Sequence, residues 1–133
     1  MTRKAFKVIG MILGVIVVLI IGFSIMVNVL KKDLTALGNI QFKDIDISAI
    51  ENGKFHGEYQ VSPISVKLDV YIENGKFLKI DLLEHKNGKG KPAEAILQKI
   101  IDSQKINVDS IAGATYSSNA IKKAIEISFI SNN

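Results

Sequence analysis

The fold of this chain is decided by the stretch Ile64-Ser65-Val66-Lys67-Leu68-Asp69-Val70-Tyr71-Ile72, which alternates apolar and mostly polar residues without a break. Successive side chains of a β-strand point to opposite faces, so this pattern predicts a strand with one buried face. Such a half-buried strand is typical of antiparallel sheets. The buried face is expected to consist of Ile64, Val66, Leu68, Val70 and Ile72.

A turn signal and a second apolar run follow this strand. Asn74-Gly75, within residues 73–76, favours the positive φ angles of a tight hairpin turn. The two strands should therefore form an antiparallel hairpin. The return strand is expected to bury Leu78, Ile80 and Leu82 and to expose Lys79, Asp81 and Glu84.

A third strand is predicted on the N-terminal side of the hairpin. Residues 55–61 alternate large apolar with small or polar residues and stop at Ser62-Pro63, and residues 51–54 form an Asn-Gly turn before them. Residues 42–50 alternate more weakly and predict a short strand or an extended lead-in. In that run Ile45 and Ile47 alternate with Asp44, Asp46 and Ser48.

Two amphipathic helices are predicted in the C-terminal half. The first begins near Pro92, which a first helical turn tolerates, and the second near Ser117, with Ser117 or Ser118 as N-cap. This order of elements predicts an α+β fold, an antiparallel sheet packed against two helices. The expected buried residues are Ala93, Ile96, Leu97, Ile100, Ile101, Ile106, Val108, Ile111, Ile121, Ala124, Ile125 and Phe129, and the expected exposed ones are Lys122, Lys123 and Glu126.

The loop between sheet and helix reads His-Lys-Asn-Gly-Lys-Gly-Lys-Pro over residues 85–92. A cationic, glycine-rich loop is usually a solvated connector. It is also suited to bringing backbone N–H groups and lysines to an anionic ligand. His85, at its mouth, is the better functional candidate of the two histidines, since His56 on a strand indicates ordinary packing.

The segment from Asp109 to Ser118 combines small residues with hydroxyls. Ala112, Gly113 and Ala114 leave the backbone open to a bulky group, and Thr115 follows them directly. A helix that starts here presents unpaired N–H groups and a positive potential, which favour an anion such as phosphate. Taken alone, the segment fits either a capped tight turn or a hydroxyl placed beside an anion site.

The N-terminal segment predicts a membrane anchor. Residues 8–30 are twenty-three consecutive uncharged residues, enough to span a bilayer and longer than the apolar core of a signal peptide. Arg3, Lys4 and Lys7 before the run outnumber Lys31 and Lys32, beside Asp33, after it, which favours a cytoplasmic N-terminus. The expected organisation is an uncleaved anchor (1–33), a connector (34–44) and an extracytoplasmic domain (45–133). Cleavage as a signal peptide, at a faint site formed by Ala36 and Gly38, is the alternative.

Charge and composition exclude several function classes. Residues 1–34 carry five basic and one acidic residue, so the net charge of +4 lies there, and residues 35–133 carry twelve of each. A balanced domain without a basic stripe is not typical of nucleic-acid binding. The chain has no cysteine, which excludes disulfides, thiolate metal centres and thioether-linked cofactors. Two histidines and scattered carboxylates provide neither a triad signature nor metal-ligand spacing.

The order of these motifs over residues 45–129 is similar to that of a known family. Residues 53–57 fit its Gly-x-Tyr/Phe-x-Gly opening, the hairpin and the loop at residues 85–91 follow, and residues 109–118 resemble its flavinylation motif. The chain thus resembles the small extracytoplasmic FMN-binding domain of sodium-translocating NADH:quinone reductase subunits and of related ferredoxin-linked ion-pumping complexes. Ala112 departs from that motif, which more often has Ser or Thr there.

The resemblance implies a specific cofactor chemistry. An extracytoplasmic, magnesium-dependent flavin transferase would take FAD, release AMP and join FMN through its phosphate to the Thr115 hydroxyl. A phosphoester needs no thiol, which agrees with the absence of cysteine. The residues expected at the cofactor are Thr115, Asp109, Ala112, Gly113, Ala114, Ser117, Ser118, His85 and Lys91, with Lys89 as a further candidate.

The same resemblance implies a biological role. The chain is expected to be a bacterial, single-pass cell-membrane protein that relays electrons between membrane redox partners, as a carrier and not a turnover enzyme. Two alternatives are non-covalent binding of FMN and a flavin-free, membrane-tethered binding module of the same fold.

Overall fold

The elements follow the predicted order and form an α+β fold. The structure, a computed structural model, describes residues 2–43 and 45–131. These residues divide between two compact units, Met1–Asp33 and Leu34–Asn133. The elements in the described residues are helices α1 (Arg3–Gly38), α2 (Ile96–Ser103) and α3 (Thr115–Ile130), strands β1 (Gly53–Val61), β2 (Ile64–Glu73) and β3 (Lys76–Lys86), and 3-10 turns at Ile47–Ala49 and Lys91–Ala95.

The first unit contains the apolar part of α1 and the charged residues on either side of it. Its uncharged run, residues 8–30, extends about 34 Å at 1.5 Å per residue, which matches the ~30 Å hydrocarbon core of a bilayer. Among the described residues this is the one helix long and apolar enough to cross a membrane. Its length, composition and N-terminal position fit a membrane span and also a signal sequence.

The sheet has the strand order β1-β2-β3, and both pairs are antiparallel. The predicted hairpin turn is confirmed, since Asn74 and Gly75 have φ angles of 52° and 68°. The turn between β1 and β2 contains a cis Ser62-Pro63 bond. The predicted apolar face of β2 is also confirmed: Ile64, Val66, Leu68, Val70 and Ile72 are all buried.

The prediction for β3 is wrong at Leu78, which is 60% exposed, while Phe77 beside it is buried. The register slips between Tyr71 and Ile72 of β2, so Tyr71 pairs with Lys79 and Ile72 with Phe77. A bulge of this kind adds one residue to a strand and turns the side chains beyond it to the other face. Ile80 is buried, and Leu82 packs against the core, as predicted.

The polar face of β2 is less exposed than a half-buried strand predicts. Ser65 and Asp69 are buried there, and side chains from both neighbouring strands contact them. Asp69 pairs with Lys54 Nζ at 2.7 Å and with His56 Nδ1 at 2.8 Å, both from β1. Ser65 Oγ donates to Glu84 Oε1 of β3 at 3.0 Å.

Helix α3 packs on β1 and β2, and α2 packs on β3. Most of the predicted core is confirmed: Ala93, Ile96, Ile100, Ile106, Ile121, Ala124, Ile125 and Phe129 are buried, and Leu97, Ile101, Val108 and Ile111 are partly buried against them. Lys122 and Glu126, predicted to be exposed, are buried. The outward face of α3 is covered, since Lys122 Nζ donates to Val108 O at 3.0 Å and lies 4.4 Å from the Phe42 ring centroid.

The predicted N-cap of α3 is wrong. The helix begins at Thr115, with Ala114 as N-cap, and Ser117 and Ser118 are buried inside its first turn. The first helical hydrogen bond runs from Ser118 N to Ala114 O at 2.9 Å. The Ser118 hydroxyl instead accepts from Ile111 N at 3.0 Å, so it ties the helix to the preceding segment.

The lead-in to the sheet is not a strand. Ile47–Ala49 forms a 3-10 turn whose N-cap, Asp46, accepts from Ser48 N at 3.0 Å. An aspartate at a cap competes with extended pairing, because its carboxylate satisfies the backbone N–H locally. Ile47 is buried by this turn. Asp44, part of the same prediction, lies outside the described residues.

Gly57 of β1 allows α3 to touch the sheet directly. A β-carbon built on Gly57 would overlap the carbonyl oxygen of Ala124 and lie 3.0 Å from Ser128 Cβ. We therefore expect Gly57→Ala to destabilise the fold by about 1–3 kcal/mol, because backbone atoms cannot rotate away. The change is measured as a shift in the urea midpoint of the detergent-solubilised full chain, with proteolytic susceptibility as the readout of unfolding.

Gly53→Ala is the matched control for this strand. Its new methyl group would meet only the Phe55 ring, at 3.7 Å, which is ordinary contact. The control should keep a midpoint close to that of the unchanged protein. Equal midpoints for the two alanine variants would contradict the close packing of α3 on Gly57.

The Asp69 ion pairs predict a pH dependence of stability. Lys54, and after it His56, holds the pKa of the Asp69 carboxyl below its ordinary value of 3.8. A lowered carboxyl pKa contributes stability that is present above pH 3.8 and is lost as the pH falls through the lowered value. Asp69→Asn should therefore have a lower urea midpoint than the unchanged protein at pH 7, and its midpoint should fall less on acidification than that of the unchanged protein. Parallel midpoint curves from pH 7 to pH 2 would refute this.

Candidate functional site

Four segments of the second unit converge on one cavity of about 260 Å³, here called the Pro63 cavity. They are the end of α1, the turn that leads into β2, the turn after β3 and the start of α3. Apolar side chains form one wall, and backbone of two glycine-containing turns forms another. The lining residues are Leu34, Pro63, Ile64, Asn87, Gly88, Lys89, Gly90, Gly113, Ala114, Thr115, Tyr116 and Ser117.

A second cavity of about 430 Å³, the Asn39 cavity, adjoins the first. Its wall consists of two glycines, two threonines, an asparagine and a tyrosine: Gly38, Gly113, Thr35, Thr115, Asn39 and Tyr116. Gly113, Thr115 and Tyr116 line both cavities. The exposed Thr115 side chain therefore lies where the two cavities meet.

The glycine-lysine loop is brought against the first turn of α3. A β-carbon on Gly90 would overlap Ser117 Oγ, so only glycine permits this approach. Gly90 N donates to Asn87 O at 2.7 Å, which closes a tight turn, and Gly88 within it has a φ of 54°. Both motifs singled out in the sequence thus face one cavity.

Thr115 is the first residue of α3, and Gly113 lies in the turn that sets the position of Thr115. Gly113 has a φ of 77°, which favours glycine, and Ala114 N donates to Ile111 O at 2.9 Å. As in any α-helix, the N–H groups of the first turn have no partner within the helix. The hydroxyl of Thr115 therefore lies beside backbone N–H groups that the helix itself leaves unpaired, at the positive end of a helix dipole.

A buried polar network holds the segment before this turn. Asn119 Oδ1 accepts from Ser110 Oγ at 2.9 Å, and Asn119 Nδ2 donates to Leu37 O at 2.9 Å. Lys122 Nζ donates to Val108 O from the next turn of the helix. Burial lowers the pKa of the Lys122 ammonium, and Asp109 acts in the opposite direction. Helix α3 thereby positions both the turn that carries Thr115 and the end of α1.

His85 lies beneath the loop and does not line either cavity. Its side chain is almost fully buried, and its Nδ1 lies 3.0 Å from Glu94 Oε1. Lys91, the largest influence, and His85 lower the pKa of the Glu94 carboxyl, which favours an ionised acceptor. His85 Nε2 is the one buried side-chain polar atom without a hydrogen-bond partner in the described part of the chain. His85 and Lys91 thus anchor the loop through Glu94, with Lys91 Nζ at 2.9 Å from Oε2.

The remaining predicted site residues lie apart from the two cavities. Asp109 is exposed and lines a separate depression with Lys99 and Asp102. Ala112 is exposed without lining either cavity, and Ser118 is buried behind the turn. Lys89, by contrast, lines the Pro63 cavity.

Sequence reasoning missed several wall residues. Tyr116 lies inside the quoted turn, and Asn87, Gly88 and Gly90 lie inside the quoted loop, so adjacency could have suggested them. Leu34 and Pro63 gave no signal, because only the tertiary structure brings the end of α1 and the β1–β2 turn to this place.

The cavity residues fit a flavin mononucleotide. Its phosphate needs cationic and N–H donors, which Lys89 and the first turn of α3 provide. Its flat ring system needs apolar walls with a few polar groups, which Leu34, Pro63 and the backbone of residues 87–90 provide. The contact between Gly90 and Ser117 keeps these two sets of groups on one cavity.

Comparison with known families agrees with this fit. The sequence model of the family described as FMN-binding domain matches residues 61–128. The match covers just over half of the chain and includes every wall segment of the Pro63 cavity except Leu34. The chain belongs to the FMN-binding domain family.

Proposed function

We propose that this protein is a membrane-anchored, extracytoplasmic electron carrier with FMN joined through its phosphate to the Thr115 hydroxyl. The observation that supports this most directly is the position of Thr115. Thr115 is exposed and is the first residue of α3, two residues after Gly113 with its positive φ angle. It also lies at the junction of two cavities. An acceptor hydroxyl must be reachable by a transferase and must leave room for the attached group, and this position meets both needs.

The attachment step requires a separate enzyme and a flavin donor. A magnesium-dependent flavin transferase would use FAD: the Thr115 oxygen bonds to the phosphorus of the FMN half, the bond to AMP breaks, and the hydroxyl proton leaves. The first turn of α3 and Lys89 would then hold the phosphate through N–H groups and positive charge.

The attached flavin would supply reversible uptake and release of electrons. The chain's own residues would orient it and shield part of it from water, through Leu34, Pro63 and Ile64 on the apolar wall. Only residues 31–33 separate Leu34 from the uncharged run of α1. Membrane redox partners, as in the ion-pumping complexes whose flavin domains this chain resembles, are therefore the proposed donor and acceptor.

Retention of the anchor is part of the proposal. Leu37 is buried in the core of the second unit, and its carbonyl accepts from Asn119. Cleavage at the faint site formed by Ala36 and Gly38 would remove Leu37 from that core and Leu34 from the cavity wall. Retention keeps both, so we propose a membrane span and not a cleaved signal.

Thr115→Ala should abolish covalent flavin. The full chain is expressed together with a flavin transferase, and flavin fluorescence is recorded on a denaturing gel. We expect a fluorescent band for the unchanged protein and for Thr115→Ser, which keeps a hydroxyl, and none for Thr115→Ala. Thr35→Ala is the matched control, because it removes a different hydroxyl from the Asn39 cavity and should keep the band.

The other outcomes of this experiment separate the alternatives. A band that persists in Thr115→Ala would refute the attachment site. A yellow native protein that loses its flavin on denaturation would indicate non-covalent FMN. A colourless protein after exposure to FAD, magnesium and transferase would favour a flavin-free binding module.

The proposed topology can be tested with single cysteines, since the chain has none of its own. A membrane-impermeant maleimide added to spheroplasts should label Lys86→Cys, whose side chain position is 71% exposed. Thr2→Cys should be labelled only after lysis, because the N-terminus is proposed to be cytoplasmic. The reverse pattern would overturn the orientation.

A further inference from the structure

The position of Thr115 between two cavities leaves two directions for a group attached to it. The Pro63 cavity lies on one side and the Asn39 cavity on the other, and Tyr116 lines both. The family match covers the wall of the Pro63 cavity except Leu34, whereas Thr35, Gly38 and Asn39 of the other cavity lie outside the match. The residues that line the two cavities give a further reason to prefer one direction.

Tyr116, which lines both cavities, is held in place on one side by Gly38. A β-carbon on Gly38 would lie 2.8 Å from Tyr116 Cε1 and 3.5 Å from Cδ1, so one edge of the ring rests on the Gly38 backbone. Gly38 is held in turn, because Asn119 Nδ2 donates to Leu37 O and, at 3.4 Å, to Gly38 O. Tyr116 as a whole is nevertheless 43% exposed, so part of its surface is free for contact.

The two cavities differ in chemistry. The Pro63 cavity combines the apolar side chains of Leu34, Pro63 and Ile64 with the backbone of residues 87–90. The Asn39 cavity is lined by threonine, glycine, asparagine and the Tyr116 ring, and its lining residues include no leucine, isoleucine or proline. A flat aromatic ring with one polar edge gains more from the first, where apolar contact and backbone hydrogen-bonding groups occur together.

We infer that Tyr116 is a positioning residue that directs the isoalloxazine ring of a flavin on Thr115 into the Pro63 cavity and contacts it there. This inference rests on the proposed function. Backed by Gly38, the tyrosine ring occupies the Asn39 side and presents an aromatic surface to the flavin. Offset or edge-to-face contact is the arrangement that such aromatic pairs prefer.

Flavin emission tests the contact. A phenol in contact with an excited flavin passes one electron to it and takes it back, which quenches emission without net reaction. Phenylalanine cannot donate in this way. In the full-length flavinylated protein, we expect Tyr116→Phe to raise the emission per bound flavin several-fold. Tyr71→Phe, which changes a tyrosine that lines neither cavity, should not.

Tyr116→Leu distinguishes the shielding effect of the aromatic ring from quenching by the phenol. Its flavin emission should equal that of Tyr116→Phe, and its flavin should be more accessible to iodide, because the aromatic ring that shields the flavin is gone. Emission of Tyr116→Phe equal to that of the unchanged protein would overturn the contact. An unchanged protein without covalent flavin would instead refute the proposed function, so the two failures are distinguishable.

The direction of the ring is tested with an introduced quencher, since the chain has no tryptophan. Lys89 and Asn39 are both exposed, and each lines one cavity only. In the bright Tyr116→Phe background, Lys89→Trp should quench the flavin strongly and Asn39→Trp should not. Stronger quenching by Asn39→Trp, or equal emission from both variants, would overturn the assignment to the Pro63 cavity.

Discussion

The second unit depends on the direct contact of α3 with the rest of the domain at two glycines. Gly57 lets β1 meet the backbone of Ala124, and Gly90 lets the loop after β3 meet Ser117. At Gly57 the helix has little freedom to shift, because the contact is with backbone atoms, which have no alternative rotamer; at Gly90 the contact is with Oγ and Cβ of Ser117. One contact lies toward the end of the helix and the other at its first turn. Together they determine where Thr115 lies relative to the loop.

The second face of α3 is occupied by polar groups that organise neighbouring segments. Asn119 connects Ser110 with the end of α1, Lys122 binds Val108 O, and Ser118 binds Ile111 N. Buried polar groups require such partners, since an unpaired one costs about 1–3 kcal/mol. A helix buried on both faces therefore serves as the frame on which the attachment turn and the last turn of α1 are assembled. The Pro63 cavity is a consequence of that assembly.

The sheet and its hairpin could be predicted from local pattern, because alternation and an Asn-Gly turn act within ten residues. Leu78 could not, since the bulge that exposes it comes from pairing with Tyr71 and Ile72 of another strand. Serine is a residue type that favours the N-cap, so Ser117 and Ser118 are natural candidates. The helix nevertheless begins earlier, at Thr115, because hydrogen bonds with Ile111 hold the preceding turn against it. The burial of Lys122 has a related reason: a helical stripe does not reveal that a second segment, which includes Val108 and Ser110, covers this position.

The sequence by itself determined the strands, the two C-terminal helices, the apolar N-terminal run and the two motifs that carry small residues, lysines and Thr115. Each of these is a local property, decided by the period of apolar residues or by the backbone freedom of glycine. Only the tertiary structure decided that the two motifs share one cavity, that Leu34 and Pro63 complete its wall, and that Tyr116 also lines a second cavity. The reason is physical: a wall is made of residues from four separate segments, and close packing of α3 at Gly57 and Gly90 is what brings them together.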